Sequence, residues 1–329
     1  MIEPMRASSS IRTPGTRSRG VAIRDFDQGR PLPVRGERVV PQRAWAADAT
    51  SADLPEWARV LVDDDSGASS LEHRCEVVRN ASALPTEAFE EATRRAYATL
   101  LRGLESSRLW RAWNFIPRIN DETPGTNGRR DRYMAFNRGR HLGFEDALEE
   151  SSFHPVASGV GHAGDDLVLH LLVGDEAISP VDNPRQTLPA AYSERFGHPP
   201  PVFSRGGAVV LEDAELLLVS GTASVVGEES LHLGDLHGQL EETMRNIRVV
   251  VERGWGGGRT SELGHWLVYL PEATSESSAM VEAAIRAATE GSTPRIEIRE
   301  QALCRPELLV EIECAGVRSA SPSKVGSTS

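Results

Sequence analysis

The order of apolar segments in the second half of the chain limits its fold more than any other feature. Residues 236–253 carry apolar side chains every three or four positions, which predicts an amphipathic helix, and residues 276–288 predict a second one. Shorter apolar runs around them predict strands at 203–211, 215–220, 265–270, 295–299 and 307–314. The resulting order, β-β-α-β-α-β-β, predicts an α+β domain.

The first half of the chain has a less regular version of the same order. Thr86 is the predicted N-cap of a helix over 86–107, which has an apolar stripe that includes Phe89 and Leu100. A second helix is predicted at 133–150, a loop at 120–132, and strands at 58–62, 75–78, 108–119 and 166–173. Because 329 residues suffice for two domains, we expect two related α+β units.

Shifts in composition give the predicted domain boundaries. Residues 1–43 and 317–329 mix Arg, Ser, Pro and Gly without a sustained hydrophobic period, so we expect them to be flexible. Between them we predict an N-terminal α+β domain at 44–175, a proline-rich connection at 176–202 and a C-terminal domain at 203–316.

Charge and cysteine content exclude several classes of protein. The net charge of −12 opposes binding to polyanions, so nucleic acid is not an expected partner. No apolar run reaches the roughly 20 residues that cross a bilayer, and the basic N-terminus lacks the apolar segment of a secretory signal. Cys75, Cys304 and Cys314 form no CxxC pair and are predicted to be free thiols. We therefore expect a cytoplasmic protein that binds no membrane.

Residues 219–247, VSGTASVVGEESLHLGDLHGQLEETMRNI, resemble the RidA (YjgF) fold. They carry that family's SG start, an Asp before the helix, Gln239 within it and Asn246 and Ile247 at its close. The run LVEIE at 309–313 matches the strand in which RidA-like proteins place a glutamate in the cleft. The resemblance implies a RidA/YjgF-like C-terminal domain packed on a divergent, related N-terminal domain.

Four segments together resemble the chorismatase family. They are LWRAWNFIPRIN at 109–120, RYMAFNRGR at 132–140, NPRQTLPAAYSERFGHPPPVFSRG at 183–206 and the SGTAS segment above. This resemblance implies an enzyme that releases the enolpyruvyl side chain of chorismate as pyruvate, in a cleft between the two halves. Because fused halves can replace the subunit contacts of trimeric RidA proteins, we expect a monomer.

Chorismate is a dianion, and its recognition calls for groups that bind carboxylates. Arginine suits this role because its planar guanidinium binds a carboxylate with two hydrogen bonds. Arg132, Arg195 and Arg205 lie in segments that match the family and are the predicted clamps, with Tyr133 and Tyr192 as hydroxyl donors. For a single arginine chosen without the resemblance, a solvated surface side chain is the more common outcome.

Glu311 is the predicted catalytic acid. In an extended LVEIEC strand, Glu311 and Glu313 share one face, while Val310, Ile312 and Cys314 share the other. The alternation alone favours a polar outer face, but the resemblance implies a cleft glutamate at Glu311. To hold a proton near neutral pH, this carboxyl must have a pKa raised by burial or by a neighbouring carboxylate.

Cys304 is the residue on which the predicted product depends. A lone cysteine is more often a small buried apolar residue than a catalytic group. Chorismatases that release 3-hydroxybenzoate are, however, similar to this chain in having a cysteine seven residues before the glutamate, so the resemblance implies that product. A second small-residue position also separates the product types, and Gly206, Gly221 and Ala223 all remain candidates for it.

Two alternatives remain open, and no cofactor is expected. Hydrolysis of chorismate to a trans-dihydroxycyclohexadiene carboxylate and pyruvate would use the same fold, and a RidA-like imine deaminase or ligand-binding module is a more distant possibility. His232, His237 and Asp235 could suggest a metal, but Asp235 suits a helix N-cap better, so no metal site is predicted. No phosphate loop or dinucleotide-binding motif is present.

Overall fold

The computed structural model describes residues 39–40, 54–55, 57–58, 71–125, 128–148, 154–211 and 214–319. Most of the two segments predicted to be flexible, 1–43 and 317–329, therefore lies outside the described residues. Two parts of them are described as strand: β1 (Val39–Val40), and the last residues of a strand that runs to Ser319.

The N-terminal part is built on a four-stranded sheet with two helices. In chain order it contains β2 (Glu72–Val78), α1 (Thr86–Leu100), β3 (Leu109–Pro117), β4 (Glu122–Gly125), β5 (Gly128–Asp131), α2 (Arg132–Ala147), β6 (Val156–His162) and β7 (Leu167–Val173). The strand order is β2-β7-β3-β6, and β4 and β5 form a separate hairpin. Strands β3 and β6 are parallel, and β7 runs antiparallel to both β2 and β3.

The C-terminal part is built on a seven-stranded sheet. Its elements are β8 (Ile178–Val181), β9 (Gly206–Val210), β10 (Ala214–Ala223), β11 (Val225–Val226), β12 (Glu229–Ser230), α3 (Leu236–Gly254), β13 (His265–Leu270), α4 (Ser275–Ala288), β14 (Arg295–Glu300) and β15 (Glu311–Ser319). The strand order is β1-β14-β13-β15-β10-β9-β8. The β-β-α-β-α-β-β order predicted for residues 203–314 is confirmed, with the small β11-β12 hairpin added.

Alternating burial along the strands produces four layers. Leu169 and Leu171 of β7 pack with Phe89 and Phe136 of the two N-terminal helices. Leu217 of β10, Val268 of β13 and Ile312 of β15 pack with α3 and α4. The opposite faces of both sheets meet in a third cluster, which joins Trp113 and Phe115 of β3 to Leu216, Leu218 and Tyr269 of the larger sheet. The layers are thus helices, sheet, sheet, helices, as expected when each sheet must bury both faces.

Several predicted boundaries were wrong, and local physical causes account for them. Pro85, not Thr86, is the N-cap of α1, and that helix ends at Leu100 before a turn in which Gly103 has a φ of +70°. The predicted loop at 120–132 contains the β4-β5 hairpin. Trp57 and Ala58 are helical where a strand was predicted from residue 58, and the rest of that stretch lies outside the described residues.

The start of β15 and the position of β6 differ from the predictions. Strand β15 begins at Glu311, not at 307, so Glu311 enters the sheet directly from the preceding loop. Strand β6 was not predicted, and it lies at the edge of the smaller sheet, where its first residue also bridges to Ser204. Within the described residues, no helix is long and apolar enough to span a membrane.

Candidate active site

Glu311 lies at the start of β15 and faces the space between the two sheets. Its neighbours Val310, Ile312 and Cys314 pack on the opposite face, against the α3 and α4 layer, so the predicted alternation is observed. Glu311 is only 4% exposed. A Cβ built on Gly221 would come within 2.0 Å of a Glu311 carboxyl oxygen, so the glycine leaves the space that this carboxyl occupies.

The electrostatic surroundings of Glu311 favour its protonated form at neutral pH. Burial raises the pKa of the Glu311 carboxyl to about 8, and the charge of Glu313 contributes to the rise. Arg111, Arg205 and Arg305 lower that pKa, but their combined effect is smaller. A carboxylic acid that keeps its proton near pH 7 can act as a general acid.

Two side chains of α3 hold the backbone on either side of this carboxyl. The Gln239 amide donates to the Glu307 carbonyl at 3.0 Å and accepts from the Leu309 backbone N–H at 2.7 Å, so it fixes the segment that leads into β15. The Asn246 amide donates to the carbonyls of Ala223 and Val225 at 3.1 and 2.9 Å, so it fixes the end of β10 just beyond Gly221. Both amides belong to the motif that resembles RidA.

Cys304 and Tyr133 form another part of the wall around Glu311. Burial and the nearby charge of Glu311 raise the pKa of the Cys304 thiol to about 12, so it is a neutral thiol at physiological pH. Burial also raises the pKa of Tyr133, and Cys304 and Glu311 add to that rise. A Cβ on Gly159 of β6 would lie 3.2 Å from the Tyr133 ring. Two partly exposed glycines therefore border these side chains, Gly159 at the Tyr133 ring and Gly221 at the Glu311 carboxyl.

Arg205, Tyr192 and Arg305 form a cationic group beside Glu311. Arg205 is 6% exposed, donates to the Tyr192 hydroxyl at 2.6 Å, and has a buried Nε with no hydrogen-bond partner among the described residues. The guanidiniums of Arg205 and Arg305 lie 5.8 and 5.6 Å from the centre of the Tyr192 ring. Two guanidiniums gathered at one tyrosine suit the binding of a carboxylate.

Arg140 and Asn137 form a second group of buried polar side chains, on α2. Arg140 is 3% exposed and Asn137 is 1% exposed. Within the described part of the chain, Nε and Nη2 of Arg140 and both amide atoms of Asn137 have no well-formed hydrogen bond, although Asn137 lies beside the Tyr133 hydroxyl and Arg140 beside that of Tyr97. The Arg140 guanidinium lies over the rings of Tyr97 and Phe144, 5.4 Å from each centre. Because buried polar groups in native proteins are rarely unsatisfied, this group is suited to an anionic ligand.

Arg132 and Arg195 make most of their described contacts with groups other than Glu311. The Arg132 guanidinium donates to the carbonyls of Ala81 and Leu84 and lies 4.0 Å from the centre of the Phe89 ring. Arg195 is about half exposed and pairs with Glu228 and Glu229. The Arg195 guanidinium also lies over the Phe196 ring, 4.5 Å from its centre, and Arg305 lies over the same ring at 4.0 Å. That Arg132 and Arg195 clamp the substrate stays a prediction. Tyr133 and Arg205 act on or are acted on by Glu311, and Tyr192 contacts Arg205.

Asp235 of the HLGDLH segment has a structural role. Asp235 is the N-cap of α3 and accepts a hydrogen bond from the Gly238 backbone N–H at 3.1 Å. Among the described residues, no group of three or more His, Cys, Asp or Glu side chains is arranged to hold a metal ion.

Arg111 and Glu313 are buried charged residues whose role the sequence analysis missed. They form an ion pair between β3 and β15 in which the side chains are 1% and 2% exposed. The Trp113 indole N–H and the Ser158 hydroxyl also donate to Glu313, at 2.8 and 2.5 Å. One signal in the sequence could have indicated this pair. Arg111 lies among the apolar residues of β3, and a charge in a strand that is buried on both faces needs a charged partner.

Comparison with known proteins gives matches over both parts of the chain. Residues 66–173 match the family described as chorismatase FkbO/Hyg5-like, N-terminal. A 3-hydroxybenzoate synthase of Streptomyces hygroscopicus is 35% identical over 242 residues, which cover 70% of this chain and 70% of the relative. A chorismatase of Streptomyces rapamycinicus is 30% identical over 217 residues, which cover 62% of this chain and 63% of that protein.

A solved chorismatase structure has the same architecture over most of the chain. A chorismatase crystal structure aligns with 74% of this chain and 74% of its own, with 26% identity and a TM-score of 0.62. The predicted mixed α+β fold is confirmed by this alignment. The YjgF protein of E. coli aligns with 43% of this chain and 98% of its own, with 16% identity and a TM-score of 0.31.

Proposed function

The chain belongs to the chorismatase family and is an enzyme of this type, and from that premise we propose that it converts chorismate to 3-hydroxybenzoate and pyruvate. The observation that carries this proposal is Glu311, a buried carboxyl whose pKa is raised to about 8 by burial and by Glu313. Cys304 lies close to it, and Arg111, Arg205 and Arg305 are near enough to act on its charge. An enol ether reacts when its methylene carbon is protonated, and a neutral carboxylic acid in a water-poor site can supply that proton.

The two polar groups around the site support one orientation of the substrate. The enolpyruvyl carboxylate is close to the methylene carbon that Glu311 protonates, so it is assigned to Arg205 and Arg305, which act electrostatically on Glu311. The ring carboxylate is farther from that carbon. It is assigned to Arg140 and Asn137, whose buried polar atoms lack well-formed hydrogen bonds. The substrate dianion would thus satisfy both groups.

The proposed reaction is balanced without water or another reactant. Glu311 protonates the methylene, and the resulting oxocarbenium makes the oxygen on ring carbon C3 a good leaving group. The C4 hydroxyl oxygen attacks C3, its proton leaves, and the electrons of the broken C3–O bond form the carbonyl of pyruvate. The epoxide then opens at C4 as its oxygen gains a proton, and loss of the C3 proton completes the aromatic ring. The two products together contain the atoms of chorismate.

Cys304 is proposed to keep water away from the oxocarbenium, and Gly221 to leave the space that the Glu311 carboxyl occupies. With a pKa raised to about 12, mainly by burial, Cys304 acts as a neutral thiol that fills space and not as a thiolate base. Gly221 is the best-placed candidate for the second small-residue position because it faces Glu311. A Cβ on Gly206 would instead meet Val250 of α3, and Ala223 is buried in the core between the sheets.

Cys304→Ala is expected to keep pyruvate release but to change the second product. Removing the thiol leaves space for about one water molecule, with Glu311 and the substrate oxygens as its polar partners. We expect less 3-hydroxybenzoate and some dihydroxycyclohexadiene carboxylate, measured by chromatography and by ultraviolet spectra, since only the first product is aromatic.

Cys75→Ala is the matched control for this experiment, because Cys75 lies on β2 and is not among the groups that act on Glu311. It should give the wild-type product alone. An unchanged product ratio and rate in Cys304→Ala would make Cys304 a packing residue and remove its support for 3-hydroxybenzoate. A wild type that yields only the diene would favour the hydrolytic alternative. Failure to consume chorismate would revive the hypothesis of a RidA-like deaminase or ligand-binding module.

A further inference from the structure

Glu313 has no role in the chemistry above, yet the structure fixes it more firmly than Glu311. It lies two residues farther along β15 and faces the same space between the sheets. Its carboxylate accepts hydrogen bonds from Arg111, Trp113 and Ser158, and the Tyr269 hydroxyl lies 3.4 Å away. These donors come from β3, β6 and β13. Both sheets therefore contribute to holding one carboxylate.

Ser158 connects this cluster to the catalytic carboxyl. Its hydroxyl donates to Glu313 at 2.5 Å and accepts from Arg111 at 2.6 Å and from the Gly221 backbone N–H at 3.0 Å. A Cβ on Gly221 would lie 3.0 Å from this hydroxyl and 2.0 Å from a Glu311 oxygen. The Glu313 cluster and the Glu311 carboxyl therefore flank the same glycine.

The two carboxyl groups differ sharply in their hydrogen-bond donors. Donors to a carboxylate favour its ionised form, and Glu313 has three at 2.8 Å or less. No side chain or backbone N–H among the described residues is found to donate to Glu311. When two carboxyls lie close together in a buried site, the pair holds its proton on the less well solvated member.

We propose that Glu313 is a positioning residue for the chemistry, whose fixed negative charge keeps the proton on Glu311 until the substrate methylene receives it. This inference rests on the proposed function, in which Glu311 is the acid. Arg111 has the matching role of holding the Glu313 carboxylate in place through the buried ion pair, beside the glycine that Glu311 also faces.

The charges around Glu311 explain why such a residue is needed. The titratable and charged groups that face it are Glu313 on β15, Arg111 on β3, Arg205 before β9, Tyr269 on β13, Tyr133 on α2, and Cys304 and Arg305 before β15. The three arginines would draw the proton away, while the raised pKa values of the tyrosines and the thiol keep those groups neutral. The enolpyruvyl carboxylate, bound at Arg205 and Arg305, would offset their charge, so the effect of Glu313 on Glu311 is less opposed when chorismate binds.

The test is the pH dependence of kcat/KM in Glu313→Gln, a change that removes the charge but keeps the shape. The wild-type rate should fall as pH rises through about 8, because Glu311 loses its proton there. Without Glu313, Glu311 loses its proton more easily, so this fall should move to lower pH by about one unit or more. Glu215→Gln is the matched control, since Glu215 pairs with Arg318 elsewhere on the larger sheet, and its profile should match the wild type.

A double variant, Arg111→Met with Glu313→Gln, keeps the test valid if the single variant leaves Arg111 unpaired and fails to fold. Removing both charges should give a profile between those of Glu313→Gln and the wild type, because the raising effect of Glu313 exceeds the lowering effect of Arg111. An unchanged profile with a uniformly lower rate would make the cluster purely structural and overturn the inference. Wild-type turnover in Glu311→Gln would instead overturn the proposed function itself.

Discussion

Replacing Glu311 with glutamine is expected to lower kcat by about 10²- to 10⁴-fold, which is the usual contribution of a general acid. Glutamine keeps the size of the side chain but cannot give up a carboxylic proton to the methylene. Since the proposed carboxylate clamps are unchanged, the affinity for chorismate should stay close to that of the wild type. Steady-state kinetics with pyruvate detection, together with equilibrium binding to the inactive variant, measure both quantities.

Glu276→Gln makes the same chemical change on the exposed first turn of α4 and should leave both quantities unaltered. A Glu311→Gln variant within a few-fold of the wild-type kcat would remove Glu311 from the mechanism. Loss of binding without loss of kcat would instead assign it to substrate recognition.

Replacing Arg140 with methionine is expected to lower kcat/KM for chorismate by roughly 30-fold or more, mainly through KM. Removing one partner of a buried, hydrogen-bonded charge pair costs about 2–5 kcal/mol, and 1.4 kcal/mol corresponds to a factor of ten. Inhibition by 3-hydroxybenzoate, which keeps the ring carboxylate, should weaken in parallel. Inhibition by pyruvate should be unaffected, because its carboxylate is assigned to Arg205 and Arg305.

The stability of this variant separates a binding role from a structural one. Arg140 is buried without well-formed hydrogen bonds at Nε and Nη2, so methionine should keep or raise the melting temperature of the free enzyme. Arg95→Met, on the exposed side of α1, is the control and should change neither KM nor inhibition. A melting temperature that falls while KM stays constant would contradict the assignment of Arg140 to the substrate.

Hydrophobic periodicity predicted the helices that have one apolar stripe and the strands that consist of one short apolar run. The pattern of α3 and the short run of β13 needed no tertiary information, because apolar spacing alone separates a helix from a strand. Strand β6 was missed because its sequence, VASGVGH, has few large apolar residues, and its extended form depends on parallel pairing with β3. The β4-β5 hairpin was missed for a similar reason, since its polar residues resemble a loop.

The sequence predicted a site residue only where the alternation of a strand or a family motif indicated which way its side chain points. Period-two alternation placed Glu311 and Glu313 on one face of their strand but favoured the solvent side for that face, and the resemblance alone assigned it to the cleft. In the structure Glu311 is buried and faces the space between the sheets. Arg132 begins α2, and its side chain extends to the Ala81 and Leu84 carbonyls, a long-range contact that no local pattern contains. Arg140 was not selected because its importance lies in buried atoms without well-formed hydrogen bonds, which only the folded structure reveals.

Proton transfer from Glu311 to the substrate methylene can be followed most directly in deuterium oxide. Glu311 exchanges its proton with the solvent, so the pyruvate formed should carry one deuterium in its methyl group. Nuclear magnetic resonance spectra recorded within minutes of mixing should show CH2D pyruvate and 3-hydroxybenzoate in equal amounts, in the presence of a metal chelator. Pyruvate with an undeuterated methyl group would mean that the hydrogen came from the substrate ring, and a product that keeps the enolpyruvyl group would mean that the bond was never broken. Either result would contradict the role of Glu311 as the acid.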